Sequence, residues 1–436
     1  MKNKWIIASI LIVALIALCG ASLYAAWVGV RMAQDSGVRF ELLPNTVSAK
    51  ATEQKTISVS SPASLSVISD LGDVSVKSGP DGQISVTAEK TAWGNNGADA
   101  QAALKDLKVI YDQTGSNLAI SVQQPVEVNA LHLGSDGGSV KFTVVVPSQT
   151  AVTLKSSAGD LSLSGTNGIA DLRTEFGVLN LTDVSGEIFA RSSNGTLKIQ
   201  NIGDGHKIEL SSEFGNITAD TVQGSDVTIS STNGTLELAG IKASGILKAT
   251  SEFGAIHVSK SSAGMADIHS NNGTVKLDEL DLDGKIIVNS DFGDLILTKV
   301  SATAYDLESN NGKINVDGAQ GPVKAHSEFG AVEVINAKNA TLDLLSNNGG
   351  VTFSGTLGAG PHSIKSEFGN ITLNLPADLS LNVDLQTEFG KITSDFDVTV
   401  SGNKMDEKHW TGKINGGGAE LIIKNSNGNI TLHISK

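Results

Sequence analysis

Residues 246–273 read ILKATSEFGAIHVSKSSAGMADIHSNNG and contain both forms of one short phrase. The phrase is Ser-Glu-Phe-Gly in one form and Ser-Asn-Asn-Gly in the other, and alternating apolar and polar residues flank each copy. It recurs every 18 to 21 residues through residues 156–394, and a late copy at Gly428 follows one longer gap. The copies are similar enough to predict one repeated structural unit.

The residues around Phe253 show what that unit is. Apolar residues stand two and four places before Ser251 and two and four places after Gly254. This period of two is typical of half-buried strands, so each copy predicts a strand, a tight corner at the glycine, a second strand and a second turn. Glycine would allow positive φ at the corner. One unit cannot bury its apolar face alone, so neighbours must stack. The sequence therefore predicts an all-β fold, a parallel β-solenoid of about 19-residue coils with capping ends.

The alternation of the two forms leaves two coil lengths open. Like residues stacked on like residues in parallel strands favour a coil of about 38 residues, with separate Phe and Asn columns. Ordinary coil size favours 19 residues, with Phe and Asn alternating up one column, and we favour this shorter coil. The alternating residues are Phe176, Phe214, Phe253, Phe292, Phe329, Phe368 and Phe389 in one set and Asn194, Asn233, Asn272, Asn311 and Asn348 in the other.

Composition and charge exclude some functions. The chain of 436 residues carries 46 acidic and 32 basic residues, a net charge of −14. Without a basic stripe to neutralise phosphates, nucleic-acid binding is not expected. Cys19 is the single cysteine, so there is no disulfide framework and no thiolate metal site.

The N-terminus has the pattern of a membrane anchor. Residues 5–30 are uncharged and lie between Lys4 and Arg31, which is long enough for a tilted transmembrane helix. The lysines at its start place the N-terminus inside and the repeats outside the cytoplasmic membrane, at the cell surface or in the periplasm. A cleaved signal peptide and a lipoprotein signal at Cys19 remain alternatives. We assign residues 1–31 to the anchor and residues 32–55 to a stalk.

The two ends of the repeat array read as caps. Residues 56–155 contain short alternating strands, a degenerate copy of the phrase at residues 69–73, and one helical pattern over Ala100, Ala103, Leu104, Leu107 and Ile110. Such a helix beside the first coils would protect the end of the stack. Residues 395–436 hold a longer polar connection that we expect to cross the other end, with Trp410 packed over it. Residues 156–394 between the caps are the solenoid repeats.

These elements resemble the bacterial DUF4097 family, β-strand-repeat proteins related to adhesin head domains. The resemblance rests on Val144-Val145-Val146-Pro147, on the corner phrases from Ser156-Ser157-Ala158-Gly159 onward, and on residues 375–379, Leu-Pro-Ala-Asp-Leu. It covers about residues 56–436 and implies a membrane-anchored, extracytoplasmic β-helix. The family offers no catalytic residues to transfer.

One set of residues could carry a repeated activity. The position before each Phe is acidic, and we predict a surface ladder of Glu175, Glu213, Glu252, Asp291, Glu328, Glu367 and Glu388. In a 19-residue coil these carboxyls lie two layers apart, about 9.5 Å, a separation used by inverting glycosidases. A catalytic pair occurs once and in contrasting environments, so we interpret the acids as solvated corner residues opposite a packed Phe, or as a repeated surface for cations or for a basic or carbohydrate polymer.

The remaining motifs give little evidence of a function. The Asn-Gly-Thr copies match N-glycosylation acceptors but are equally turn signals. Residues 279–284, Glu-Leu-Asp-Leu-Asp-Gly, imitate the start of a calcium loop but lack its closing Glu. Arg173 and Arg191 stand alone along the chain, and most histidines take the outward parity of their strands. We predict no catalytic residues, no metal site and no cofactor.

These observations favour a binding or scaffold module without catalysis, adhesin-like or envelope-associated. Its expected partners are the membrane, through residues 5–30, and an envelope glycan or protein. A polysaccharide-active enzyme on a parallel β-helix is the alternative, and a passive spacer is a third interpretation.

Overall fold

Equivalent strands of successive repeats pair in parallel in the computed structural model, which describes residues 47–125, 138–203, 205–400 and 407–435. Val227 pairs with Leu247, which in turn pairs with Ala266, and the register continues in steps of one repeat. The strands after the corner pair in the same way. This confirms the all-β parallel solenoid and the 19-residue coil.

The strands of the successive repeats run from Thr150 to Leu375. Three long strands, β17, β18 and β25, continue from one coil into the next. In chain order they are β8 (Thr150–Ala158), β9 (Leu161–Ser164), β10 (Ala170–Phe176), β11 (Leu179–Ser185), β12 (Ile188–Ser192), β13 (Leu197–Gly203), β14 (Ile208–Ser212), β15 (Ile217–Gly224), β16 (Val227–Ser231), β17 (Leu236–Ser251), β18 (Ile256–Ser270), β19 (Val275–Leu282), β20 (Ile286–Ser290), β21 (Leu295–Ser301), β22 (Tyr305–Ser309), β23 (Ile314–Asp317), β24 (Gln320–Ser327), β25 (Val332–Ser346), β26 (Val351–Leu357), β27 (His362–Ser366) and β28 (Ile371–Leu375).

The core is a continuous apolar column inside the coils. Inward positions hold Val, Ile, Leu and Ala, and nearly all are fully buried, as Ile229, Ala249 and Ile268 are in neighbouring layers. Burial of each large aliphatic side chain contributes roughly 1.5–3 kcal/mol. The period of two therefore fixes which face of every strand turns inward.

The corner glycines are required for space. Among them only Gly72, Gly159 and Gly177 have the positive φ that the sequence suggested. A Cβ at Gly254 would instead lie inside contact distance of the carbonyl oxygen of Gly234 in the neighbouring coil, and the same clash recurs up the stack. The close approach of neighbouring backbones excludes every side chain here, so φ is not the general reason for glycine.

The second bend of the coil is where positive φ recurs. Asp183, Asn201, Thr221, Lys260 and Glu279 occupy the left-handed region at equivalent positions, with φ between 50° and 56°. Gly240 takes the same position with φ 62°. After this bend a short segment pairs again with its neighbours, as Val222 does with Ile241, so each coil has three sides.

Over residues 47–125 and 138–147, the N-terminal end contains one helix and seven strands, and its order in space differs from its order in the chain. The coil formed by β2 and β3 pairs with β6 and β7 on one side and with β8 and β9 on the other. The elements are β1 (Val47–Ser58), β2 (Ala63–Leu71), β3 (Val74–Gly79), β4 (Gln83–Gly94), α1 (Gly97–Asp106), β5 (Lys108–Thr114), β6 (Asn117–Gln123) and β7 (Gly138–Pro147).

Helix α1 covers the outermost antiparallel strands of this end. The Asn96 side chain caps it by accepting from the amides of Ala98 and Asp99, and Leu104 packs with Ala49 of β1 and Ala92 of β4. The helix ends before Ile110, which lies exposed in β5, so the helical pattern extends too far in the sequence. Strand β1 pairs with β4 from Val47 onward, so the part of the predicted stalk from residue 47 belongs to the cap.

At the C-terminal end, the last coil of the chain is inserted between two coils that come before it in the sequence. Strands β33 and β34, the last in the chain, lie between the coil of β27 and β28 and the coil of β29 and β30. The connection crosses the end as β32, with Trp410 partly buried against the core. These strands are β29 (Leu381–Thr387), β30 (Ile392–Ser394), β31 (Val398–Val400), β32 (His409–Ile414), β33 (Ala419–Asn425) and β34 (Ile430–Ile434).

The predicted anchor, residues 1–31, lies outside the described residues, as does the stalk up to residue 46. Within the described ranges, none of the helical structure is both long enough and apolar enough to traverse a bilayer.

Candidate functional site

The acidic and aromatic residues of the phrase form one straight line along the outside of the solenoid. The Phe253 amide donates to the Thr232 carbonyl at 2.9 Å, and the Asn272 amide donates to the Glu252 carbonyl at 3.0 Å. Each copy is thereby held on the next, and Phe and Asn alternate up a single column. We call the seven acid–Phe pairs, residues 175–176, 213–214, 252–253, 291–292, 328–329, 367–368 and 388–389, the corner column. Successive pairs lie two strand spacings apart, about 9.5 Å.

The phenylalanines of the corner column are not packed, which corrects the expectation from sequence. Their exposed fractions lie between 55% and 73%. Large apolar side chains are rarely so exposed in a regular line, and contiguous exposed apolar surface marks interaction sites in soluble proteins. The corner column is therefore a repeated apolar surface with a carboxylate beside every ring.

Both ends of the solenoid keep this two-layer spacing by reordering the chain. In sequence Phe368 and Phe389 belong to consecutive copies, but the interleaved last coil places Asn427 between them. The Asn427 amide donates to the Glu367 carbonyl, and the Phe389 amide donates to the Ser426 carbonyl. At the C-terminal end the alternation is thus a property of the folded molecule and cannot be read from the order of the copies.

The N-terminal end extends the same spacing by one further pair. Leu71 pairs with Ala158, which pairs with Phe176 on its other side. Asp70 and Leu71 thus continue the acid–apolar alternation two layers beyond Phe176, and Leu71 is 42% exposed. Sequence reasoning missed this pair as a site, although the degenerate phrase at residues 69–73 was visible, because only the pairing shows where that coil lies.

A buried row of hydroxyls runs beneath the corners and holds those around Ser251 in shape. Ser251 Oγ donates to the Gly234 carbonyl at 3.1 Å and accepts from the Gly254 amide at 2.9 Å. Ser231 and Ser270 do the same one layer away. Because buried polar groups must be hydrogen-bonded, a small hydroxyl residue at this position both fits and satisfies the backbone. The phenyl rings are thus presented on a rigid corner.

In the Asn-containing coils, asparagine side chains bind the acidic residue of the preceding coil. Asn272 Nδ2 donates to the Glu252 carbonyl at 3.1 Å, and Asn311 Nδ2 donates to the Asp291 carbonyl at 3.2 Å. Asn347 Nδ2 reaches the Glu328 carboxylate at 2.7 Å. The asparagine side chains between the rings therefore hold neighbouring coils together and place polar groups at the surface of the column.

A groove runs beside the corner column on the strand that precedes it. Its floor is the buried hydroxyl row, and its lining extends from Ile68 to Asn271 and includes Glu175, Glu213 and Glu252. Its volume is about 770 Å³. The acids thus form the boundary between this groove and the phenylalanines.

Three cations lie together in this groove, which corrects the impression that the arginines are isolated. Arg173 pairs in register with Lys155 on one side and with Arg191 on the other. Arg173 Nε binds Asp171 at 3.0 Å, and Arg191 Nη2 binds Glu209 at 3.4 Å. Each arginine is thereby partly neutralised. Lys155, Arg173 and Arg191 each stand directly before the Ser or Thr that begins a copy of the phrase. This shared position was the signal in the sequence for the cluster.

The described residues contain no group of three or more His, Cys, Asp or Glu side chains that could hold a metal ion. At the calcium-like stretch, Glu279 instead takes left-handed backbone and pairs with Lys299 at 3.0 Å. The carboxyls of the corner column recur at the same position of the phrase, each directly before an exposed phenylalanine.

His362 departs from the outward parity expected for most histidines. It is fully buried in a column of apolar residues, paired with Leu421. Its Nδ1 accepts from the Leu342 amide and its Nε2 donates to the Gly358 carbonyl, both at 3.3 Å. Burial lowers the pKa of His362 below its usual value.

The fold and the corner column define a class, an all-β parallel solenoid that presents one repeated surface along its length. The chain belongs to the DUF4097 family, described as Toastrack, which it matches over residues 50–226, 207–354 and 284–433. No curated protein matches the chain.

Two solved structures are similar to the chain. One is titled a "putative cell adhesion protein" from Clostridium sporogenes, with 8% identity, coverage of 88% of this chain and 99% of that one, and a TM-score of 0.17. The other is titled a "putative adhesin" from Bacteroides fragilis, with 10% identity, coverage of 88% and 98%, and a TM-score of 0.22.

Proposed function

We propose that the protein is a non-catalytic binding or scaffold module of the cell envelope, adhesin-like in its action. Residues 5–30 anchor it in the cytoplasmic membrane with the N-terminus inside, and the solenoid stands outside and presents its corner column to an envelope partner.

One observation carries this proposal, the two-layer spacing of exposed rings that persists through the interleaved C-terminal end. A repeat inherited by duplication would explain alternation along the sequence. It would not explain why Asn427, from a distant part of the chain, separates Phe368 from Phe389. A surface that must be regular in space explains it.

The equivalence of the acids favours binding over catalysis. Acid–base catalysis by two carboxyls needs environments that hold their pKa values apart. The corner column repeats one position instead of forming one pair, with Glu213, Glu252 and Glu328 each followed by an exposed ring. Repeated weak contacts along one line suit a polymeric or multivalent partner.

The full-length chain, purified in mild detergent, tests the proposal by co-sedimentation with envelope fractions. We expect retention of the unchanged chain and of the control N233A/N272A/N311A. The variant F214A/F253A/F292A should lose about tenfold or more in apparent affinity, because aromatic contacts contribute strongly to interfaces. Equal retention of both variants would contradict the proposal. New reducing ends or unsaturated sugars released from the fractions would replace it with the enzyme.

A further inference from the structure

We infer that the corner column is a binding site for an extended, uncharged β-1,4-linked glycan laid along the solenoid axis. This inference rests on the proposed binding function and names its ligand class and its site. The column offers seven phenyl rings in one line, with Leu71 as an eighth apolar position at the N-terminal end.

The spacing of the rings matches the repeat of such a chain. Exposed rings recur every second layer, about 9.5 Å apart. In an extended β-1,4-linked glycan successive sugars are turned over, so the same sugar face recurs once per disaccharide, and the length of a disaccharide is close to this distance. Each ring could therefore meet an equivalent sugar. Rings in every layer would be too closely spaced to do so.

The chemistry of each acid–Phe pair suits a sugar. The face of a phenyl ring carries partial negative charge, which attracts the C–H groups on the apolar face of a pyranose. The carboxylate beside it, Glu252 beside Phe253 for example, accepts hydrogen bonds from hydroxyl groups. The side-chain amides of Asn272 and Asn311, between the rings, already donate to the carbonyls of Glu252 and Asp291 and are not part of the proposed sugar contacts. Apolar platforms with a few polar groups at fixed positions are typical of ligand sites.

Charge narrows the class of ligand and disfavours other occupants. Seven carboxylates lie on this edge of a chain with a net charge of −14. Acidic glycans and anionic lipid surfaces would be repelled. A second copy of the chain would bring one carboxylate line against another. A basic peptide is the remaining competitor, since Lys408 Nζ lies 5.6 Å from the centroid of the Phe389 ring, but a flexible peptide does not require the constant two-layer spacing.

Calorimetric titration of the full-length chain with β-1,4-linked N-acetylglucosamine oligomers of two to eight sugars tests the inference. We expect affinity to rise once the oligomer is long enough to reach two rings, at four sugars or more. Replacing all seven phenylalanines with alanine should weaken binding of the hexamer about tenfold or more, through the loss of every aromatic contact. F253A/F292A should lower only the number of hexamers bound, because Phe176 with Phe214 and Phe329 with Phe368 still offer neighbouring rings. The matched control N272A/N311A should change the hexamer affinity less than about threefold. The rings are largely exposed, so the variants keep the folded core.

Further arms separate the competing occupants. With an uncharged glycan, raised salt leaves the hexamer affinity nearly unchanged, because no ion pair is involved. E252Q weakens it less than about threefold, because glutamine keeps one acceptor oxygen for the sugar hydroxyl. Failure of every oligomer to bind, while envelope retention still depends on the phenylalanines, overturns the glycan and leaves the binding function. Binding of oligolysine that salt and E252Q abolish, with no glycan binding, assigns the column to a basic peptide. Self-association that F253A/F292A removes assigns it to a second copy.

Discussion

At the scale of single residues, the solenoid depends on small side chains that leave room for the backbone. Gly254 approaches the carbonyl of Gly234 so closely that no Cβ fits, and Ser251 beside it satisfies the buried corner. The second bend tolerates more variety, since Thr221, Lys260 and Glu279 all take left-handed backbone there. Space restricts the first corner, and conformational preference restricts the second.

The substitution Gly254→Ala should destabilise the protein by about 2 kcal/mol or more, since an added methyl group in a filled space displaces the backbone. Urea unfolding measures the change. Gly203→Ala is the control, because nothing lies within 4 Å of a Cβ built there, and it should stay within about 0.5 kcal/mol. Equal stability of the two variants would refute the spatial requirement.

The substitution Thr221→Asn should stabilise the protein by about 1 kcal/mol, because Asn enters the left-handed region more readily than a β-branched residue. Thr221 has φ 56°. The same change at Thr218, in the regular part of β15, should give no gain. A lower thermal midpoint for Thr221→Asn than for the unchanged chain would rule out backbone strain as the cause.

The buried His362 predicts a pH dependence of stability. Its pKa is lowered by burial, so the unfolded chain binds the proton more readily than the folded chain. The contribution of neutral His362 to stability is therefore fully present above about pH 6.5, the usual histidine pKa, and is lost as the pH falls below that value. Protonation at Nδ1 would also break the hydrogen bond from the Leu342 amide.

Thermal midpoints measured from pH 7.5 to 5.5 test this expectation. The unchanged chain should lose stability over this range, and His362→Leu should lose less, since leucine carries no proton there. Parallel curves for the two proteins would show that other groups cause the pH dependence.

At the scale of elements, the coil nearest each end of the chain pairs with a neighbouring coil on both of its sides. Strand β33 pairs with β27 and with β29. A strand with two neighbours has its amides protected, and the sheet gains no new edge there. Interleaving therefore fixes both ends of the stack and keeps the corner column in register across them.

Hydrogen exchange tests the interleaving without any substitution. The amides of Leu421 and Ile423 should exchange as slowly as those of Val288 in a central strand, because each lies between two paired strands. The amides of β32 should exchange faster, since its second neighbour covers only Val398–Val400. Exchange of β33 at the rate of β32 would mean that the last coil lies on the outside of the stack.

At the scale of the whole molecule, the chain is a rigid rod with one regular surface and, in our proposal, a membrane anchor at its start. The line from Phe176 to Phe389 crosses twelve layers, roughly 58 Å. A rod of this length would hold a polymeric partner at many equivalent points and away from the bilayer.

Removal of residues 1–31 from the variant F214A/F253A/F292A should move the protein from the membrane pellet to the soluble fraction, since those residues contain the only long segment of the sequence that is both uncharged and predominantly apolar. Cell fractionation followed by immunoblotting measures this, and the full-length variant is the reference. If the shortened variant still sediments with membranes, a surface of the solenoid other than the corner column binds them and the anchor proposal fails.

Much of this protein can be predicted from the sequence because its structural signals are local and repeated. The alternation around Phe253 determines the strands, the 19-residue period determines the coil, and the acids before each Phe identify the corner column. Only the tertiary structure decides that the rings are exposed, that Lys155, Arg173 and Arg191 form a cluster, and that Asn427 separates Phe368 from Phe389. The physical reason is that periodicity fixes the face a residue takes within one coil, whereas the order of coils at each end depends on which strand edges pair over long separations in the chain.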